Sequence, residues 1–264
     1  MGDNLHSIEG LLIDMDGILY RGSEPISGAK EFIALLQREG TTSLLLTNNS
    51  TRTPAHCVTK LAQMGIEVEK DDVLTSAQAT ALYLERIAPP GTKVYVIGEE
   101  GLRSAMKEKG YAISEDAEFV VVGMDTHLTY EELKAATLLI RGGARFIGTN
   151  SDKTFPSEEG IVPGNGAILA ALEAATGVAP TVVGKPEPII FELALAKLGT
   201  DRERTAIIGD RLETDVLGGQ RFGLITILVL SGITTSQELE NSSLKPDFVF
   251  EDMECLYQAW LDTR

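Results

Sequence analysis

Leu11-Leu12-Ile13-Asp14-Met15-Asp16-Gly17 decides the fold: an unbroken apolar run that stops on two acids and a glycine. A continuous apolar run suits a strand buried on both faces, as in a parallel sheet. On a strand, positions i and i+2 share a face, so Asp14 and Asp16 can address one site. Gly17 lets the backbone approach a ligand closely. Two neighbouring carboxylates raise each other's proton affinity unless a cation intervenes. A hard cation such as Mg²⁺ against Asp14 would keep that group ionised, leaving Asp16 to hold a proton and act as acid and then base.

The same pattern recurs three times. Leu44-Leu45-Leu46-Thr47-Asn48-Asn49-Ser50-Thr51 ends an apolar strand on small donors, a nest able to bind phosphate oxygens. Val182-Val183-Gly184-Lys185-Pro186 sets an ammonium, a point charge suited to phosphate, beside a proline at an expected helix start. Ala206-Ile207-Ile208-Gly209-Asp210-Arg211-Leu212-Glu213-Thr214-Asp215 offers Asp210 to the octahedral oxygen set of Mg²⁺ and Asp215 to a ligand water. Each has a plainer reading: an Asp-Gly turn, a helix-capping turn before Pro54, a surface lysine, a first-turn aspartate favoured by the helix dipole. Four such strand ends together supply the carboxylates, donors and ammonium that phosphoryl transfer needs. A nucleotide-binding P-loop is excluded, because Ala179 and Pro186 stand where it requires Gly and Ser or Thr.

Working outward, β-rich runs alternate with amphipathic stretches. Strands are expected at Gly10–Asp14, Thr42–Thr47, Asp72–Thr75, Lys93–Ile97 and Glu118–Val122. Further ones are expected at Arg145–Thr149, Thr181–Val183, Thr205–Ile208, Thr226–Leu230 and Phe248–Phe250. Helical spacing marks Glu31–Arg38, Tyr130–Ile140, Ala167–Ala175 and Pro188–Leu198. Strands separated by helices mean βαβ units, a mainly parallel sheet, and ligands beyond the carboxyl ends of its strands. Ten strands overfill one tidy sheet, and the breaker cluster Gly177–Pro180 closes a middle third that reads as an insertion.

Composition bounds the partners. With 264 residues, 43% hydrophobic and 23% charged, the chain is an ordinary globular one with enough length for a sizeable core. Its 39 acidic against 23 basic side chains give −16, which argues against nucleic-acid and anionic membrane partners. An anionic substrate then needs positive charge inside the site, where contact outweighs surface charge screened beyond about 10 Å. No apolar run reaches the roughly 20 residues of a membrane span, and Met1–Gly10 lacks the pattern of a secretory leader, so a cytoplasmic location is expected. Cys57 and Cys255 read as two reduced, partly buried thiols in helices, without disulfide or metal-ligand spacing. His6, His56 and His127 are scattered, Arg21 and Arg52 read as surface arginines, and Trp260 as the docking residue of the last helix.

Asp14-Met15-Asp16-Gly17, Leu46-Thr47-Asn48-Asn49-Ser50, Gly184-Lys185-Pro186 and Gly209-Asp210-Arg211-Leu212-Glu213-Thr214-Asp215, in this order, resemble the haloacid dehalogenase (HAD) superfamily. The resemblance is to its class IIA branch of p-nitrophenyl phosphatase-like and sugar-phosphatase-like proteins, over Gly10 to Phe250. Thr149-Asn150-Ser151-Asp152 and Pro163-Gly164-Asn165-Gly166-Ala167 are similar to that branch's cap signature. The resemblance implies an α/β fold: a Rossmann-like parallel-sheet core of 1–79 and 180–264 around an inserted α/β cap of 80–179. It implies a Mg²⁺-dependent phosphatase in which Asp14 is the nucleophile and Asp16 the acid and base. Thr47, Asn48, Asn49 and Lys185 would bind the phosphoryl group. The metal would be held by the Asp14 carboxylate, the Asp16 carbonyl and Asp210, with Asp215 supporting a water. The implied partner is a small phosphorylated metabolite, with no nucleic acid or membrane, and members of the branch often pair through their caps.

Three other readings compete. A signalling receiver domain uses similar groups but spans roughly 120 residues, whereas Asp14 and Lys185 stand 171 positions apart. A dehalogenase would not need Asp16 or Asp210, and an idle phosphate-binding protein would not need the full set of motifs.

Overall fold

The computed structural model describes residues 5–157 and 160–263, so the leader expectation for Met1–Gly10 lies partly outside the described residues. In chain order the first strands are β1 (Gly10–Ile13), β2 (Tyr20–Arg21), β3 (Glu24–Pro25), β4 (Thr42–Thr47) and β5 (Val73–Thr75). Then come β6 (Lys93–Ile97), β7 (Ala112–Ile113), β8 (Phe119–Val122), β9 (Arg145–Gly148), β10 (Thr154–Ser157) and β11 (Gly160–Pro163). The last are β12 (Thr181–Val182), β13 (Thr205–Gly209), β14 (Ile225–Val229) and β15 (Phe248–Phe250). The helices are α1 (Ala29–Glu39), α2 (Pro54–Gln63), α3 (Ser76–Glu85), α4 (Glu100–Glu108) and α5 (Tyr130–Arg141). They continue with α6 (Asn165–Thr176), α7 (Pro188–Leu198), α8 (Leu217–Phe222), α9 (Ser236–Asn241) and α10 (Met253–Asp262).

The chain divides into two units, Met1–Thr47, Cys57–Leu74 and Phe191–Arg264 forming one, Asn48–His56 and Thr75–Ile190 the other. The first unit is built on a six-stranded sheet of order β15-β14-β13-β1-β4-β5. β1 lies between β13 and β4, parallel to both, with Leu12 opposite Ile207 and Leu44. All four of its residues are buried, which is why its sequence is apolar throughout. Because Ile13 faces Ile208 in a parallel ladder, Asp14 and Gly209-Asp210 must leave the sheet at one edge. On one face, Phe32 of α1 meets Trp260 of α10 edge-on at 5.6 Å, both fully buried, so the last helix docks through Trp260 as expected.

The second unit carries a five-stranded parallel sheet of order β12-β9-β8-β6-β7. Its core joins Ile97, Val120, Val122 and Phe146 of the sheet to Ala136 and Ile140 of α5 and Leu169 and Leu172 of α6. Capping boxes start its helices: Thr75 with Gln78 before α3, and Thr129 with Glu132 before α5. Gly177, at φ 74°, ends α6 in the left-handed conformation that glycine tolerates.

The structure is thus α/β with parallel sheets, as the alternating pattern predicts. Strands expected at Thr42–Thr47, Lys93–Ile97 and Phe248–Phe250 occur with those bounds. Short elements depart from expectation: the antiparallel hairpins β2–β3 and β10–β11, and β7, are too brief to show a period of two. The helix after Lys185 starts at Pro188, not Pro186, because the Glu187 N–H closes a turn onto the Gly184 carbonyl at 2.9 Å. Cys57 is buried, whereas Cys255 is exposed rather than partly buried. The units separate after Thr47, His56, Leu74 and Ile190. The division at 79/80 and 179/180 rests on the family resemblance.

Candidate active site

In the first unit, Asp14, Asp210 and Asp215 are buried and bring carboxylate oxygens within 4.8 Å of one another. Asp14 follows β1 directly, its N–H donating to the Ile208 carbonyl at 2.8 Å, and Asp210 follows β13. Asp215 lies in a π-helical turn, Leu212–Val216, that leads into α8, an irregularity common at functional sites. Its Oδ2 accepts from the Arg211 N–H and the Thr214 hydroxyl, each at 3.3 Å. Glycines make the crowding feasible: a Cβ on Gly17 or Gly232 would overlap Asp210, and one on Gly209 would overlap Asp215. Three buried like charges demand a compensating positive one. Hard, clustered carboxylate oxygens are the donor set that suits Mg²⁺, so the residues fit the ion the family generally uses.

The Asp16 carboxylate has Tyr20 as a neighbour. The Tyr20 hydroxyl reaches its Oδ2 at 3.4 Å. Burial, and then the Asp16 carboxylate, push the Tyr20 hydroxyl far above its usual range, so it remains a donor. The ammonium of Lys60 lies 3.5 Å over the Tyr20 ring. A loop after β14 secures the rest. The Ile233 N–H donates to Asp210 Oδ2 at 2.7 Å, the Thr234 N–H to the Asp210 carbonyl at 3.1 Å, and the Ser231 hydroxyl to the Gly17 carbonyl at 2.7 Å. Arg21 donates Nε to the Ser231 carbonyl at 2.6 Å, so this exposed arginine also tethers the loop.

Thr47 ends β4 in the first unit, buried at 3% exposure. Asn48, Asn49 and Lys185 belong to the second unit, where amides dominate. The side chain of Asn48 takes the Lys185 N–H on Oδ1 at 2.8 Å and returns Nδ2 to the Lys185 carbonyl at 2.9 Å. The same Nδ2 reaches Asp152 Oδ1 at 3.0 Å. The Asn48 carbonyl accepts from Ser76 Oγ at 2.6 Å and Asn150 Nδ2 at 2.8 Å. Asn165 Nδ2 in turn holds the Asn150 carbonyl at 2.7 Å. Asn49 Oδ1 accepts the Thr51 N–H at 2.8 Å and the Thr51 hydroxyl at 2.9 Å.

The structure therefore gathers Asp14, Asp210 and Asp215 in one unit, and Asn48 with Lys185 in the other. The Asn48 side-chain amide is engaged with Lys185 and Asp152. Unread in the sequence were the Ser231–Thr234 loop and Tyr20. Leu230-Ser231-Gly232 could have betrayed the loop, since a glycine at the end of an apolar strand had already marked Gly17 and Gly209.

Fold and site together define a hydrolase built on a parallel sheet with acids at its carboxyl edge. Residues 11–112 match the family described as haloacid dehalogenase-like hydrolase, and residues 182–256 a HAD-hydrolase-like family. The chain belongs to the HAD-like hydrolases, in the class IIA branch that its motifs resemble. It is 44% identical over 244 residues to an acid sugar phosphatase of Staphylococcus aureus, spanning 92% of this chain and 94% of that one. Among solved structures it is similar to a 4-nitrophenylphosphatase from Thermotoga maritima, with TM-score 0.92, 40% identity, and coverage of 96% and 98%. NagD from E. coli K-12 is also similar, with TM-score 0.88, 34% identity, and coverage of 94% and 97%.

Proposed function

We propose that the protein hydrolyses small phosphomonoesters in a Mg²⁺-dependent reaction that passes through a phosphorylated Asp14. As a HAD-like hydrolase of the phosphatase branch, it is an enzyme of phosphoric monoester bonds. The observation that carries the mechanism is the buried trio of Asp14, Asp210 and Asp215 together with Asp16, whose carboxylate pairs with Tyr20. Bound between the Asp14 carboxylate, the Asp16 carbonyl and Asp210, with Asp215 supporting a water, Mg²⁺ would neutralise charge on the acids and on the phosphoryl oxygens.

In the first step an Asp14 oxygen attacks phosphorus and the bond to the leaving oxygen breaks, while Asp16 gives that oxygen its proton. In the second step water attacks the phosphorus of the aspartyl-phosphate, Asp16 takes the water's proton, and the Asp14 carboxylate is freed with inorganic phosphate. Thr47, with Asn48 and Asn49 beside it, and Lys185 would hold the phosphoryl oxygens. Asn48 would contribute by holding Lys185. The catalytic core would comprise 1–79 and 180–264, and the cap 80–179.

The relatives named acid sugar phosphatases favour a sugar phosphate as substrate. Exposed Tyr130 and Leu138 on α5 would suit pairing of two copies through the cap. No described helix is long and apolar enough to cross a membrane, and a cytoplasmic location is proposed on the pattern of the sequence. Asp14→Asn tests the mechanism. Turnover of 4-nitrophenyl phosphate at saturating Mg²⁺ should fall by about 10⁴-fold or more, with an unchanged circular dichroism spectrum. Substantial activity in that variant would remove Asp14 as nucleophile.

A further inference from the structure

We infer that Asn48 is a positioning residue for Lys185, and that Asp152 is linked to Lys185 through it. The inference rests on the reading of Lys185 as the ammonium that holds the phosphoryl group. One planar amide engages both main-chain polar groups of a single residue, accepting at 2.8 Å and donating at 2.9 Å. Such a two-point grip fixes the direction in which the Lys185 side chain leaves the backbone, which one bond alone would not. The grip is buried: Asn48 is 7% exposed and Lys185 2%. Gly184 keeps it close, since a Cβ there would stand 2.6 Å from Asn48 Oδ1.

The main chain of Asn48 is itself held by the Ser76 hydroxyl and the Asn150 amide, so the grip has a rigid base. The second Asn48 donor direction serves the Asp152 carboxylate, at 3.0 Å to Oδ1 and 3.3 Å to Oδ2. Asp152 is oriented by its own N–H, which donates to Asn150 Oδ1 at 3.1 Å. Thr149–Asp152 thereby shares its hydrogen bonds with the lysine, and a displacement of Asp152 would be felt at Lys185 through one side chain.

A double-mutant cycle on the full chain tests this, using 4-nitrophenyl phosphate as substrate and inorganic phosphate as competing ligand. Asn48→Ala should lower kcat/KM about 10- to 100-fold and weaken phosphate inhibition in parallel. In a Lys185→Met background it should cost less than about 2-fold more, because the group it positions is gone. Full additivity would overturn the inference, since a merely structural role would act regardless of Lys185. If Lys185→Met leaves kcat/KM and phosphate inhibition unchanged, the lysine reading fails and the inference falls with it. Asn48→Asp, nearly isosteric, serves if Asn48→Ala does not fold. It keeps the acceptor for the Lys185 N–H and loses the donor. Adding Asp152→Asn to Asn48→Asp restores a donor–acceptor pair between these two side chains and should recover part of the lost kcat/KM. No recovery would remove Asp152 from the arrangement.

Discussion

The acidic corner and the amide network are both built where parallel strands end, yet they reach stability by opposite means. At the ends of β1 and β13, Asp14, Asp210 and Asp215 crowd like charges into a buried space. At an effective dielectric near 20, two full charges within 4.8 Å of each other repel by about 3.5 kcal/mol or more. Glycines and a few N–H groups shape that corner, and on the proposed function Mg²⁺ completes it. Around Asn48, by contrast, donors meet acceptors among the protein's own groups: Lys185, Asp152, Ser76 and Asn150. The comparison separates two kinds of work. On the proposed function one region receives a cation, and the other holds Lys185 through the protein's own groups.

This difference should show as a difference in response to metal. Mg²⁺ at about 100 times its dissociation constant stabilises the folded state by about 2.7 kcal/mol, or roughly 5–10 °C in Tm for a chain of this size. Asp210→Asn removes a proposed ligand and should abolish the Tm gap between Mg²⁺ and EDTA, the largest effect expected. A gap that survives would break the comparison. Gly232→Ala comes next. The added Cβ overlaps Asp210 and breaks the Ile233 N–H contact to its Oδ2, now 2.7 Å. Affinity for Mg²⁺ in a calorimetric or thermal titration should drop about 10- to 100-fold, as for other changes just outside a metal's ligands.

The amide network should behave otherwise. Asn165→Ala leaves the buried Asn150 carbonyl without its 2.7 Å donor and should cost about 1–3 kcal/mol in denaturant unfolding. Its Mg²⁺-dependent Tm gap should match that of the unchanged protein. A diminished gap would mean that the two regions are coupled more tightly than their chemistry suggests.

What the sequence reveals follows the same division. Asp14, Asp210 and Asp215 are legible because each is a charge placed at or just past the end of an apolar run, and parallel pairing then fixes the edge at which two of them emerge. Lys185 follows the apolar Val182-Val183 in the same way. The partnership of Asn48 is not legible, because its partners lie 28 to 137 positions away and offer hydroxyl, amide, carboxylate and main-chain groups that no local pattern ties to it. Hairpins of two- and four-residue strands, β2–β3 and β10–β11, are hidden by length alone. The Ser231–Thr234 loop falls between: its glycine follows an apolar strand, as at Gly209, but a search for charge passes it by.

That loop supplies the smallest effect expected and the finest test of where the acidic corner ends. The Ser231 hydroxyl donates to the Gly17 carbonyl at 2.7 Å, while the Ser231 carbonyl accepts from Arg21. Ser231→Ala removes the first bond and keeps the second, because Arg21 reads only the main chain. The buried Gly17 carbonyl then loses a donor, worth about 1 kcal/mol in denaturant unfolding. Gly17 follows Asp16, whose own carbonyl is proposed to face the metal, so a loosened Gly17 should also weaken Mg²⁺ affinity, by no more than about 10-fold. A loss in stability with unchanged Mg²⁺ affinity would confine the corner to the acids and the glycines that crowd them. A loss in both would extend it to the loop, making Ser231 the uncharged counterpart in this unit of Asn48 in the other.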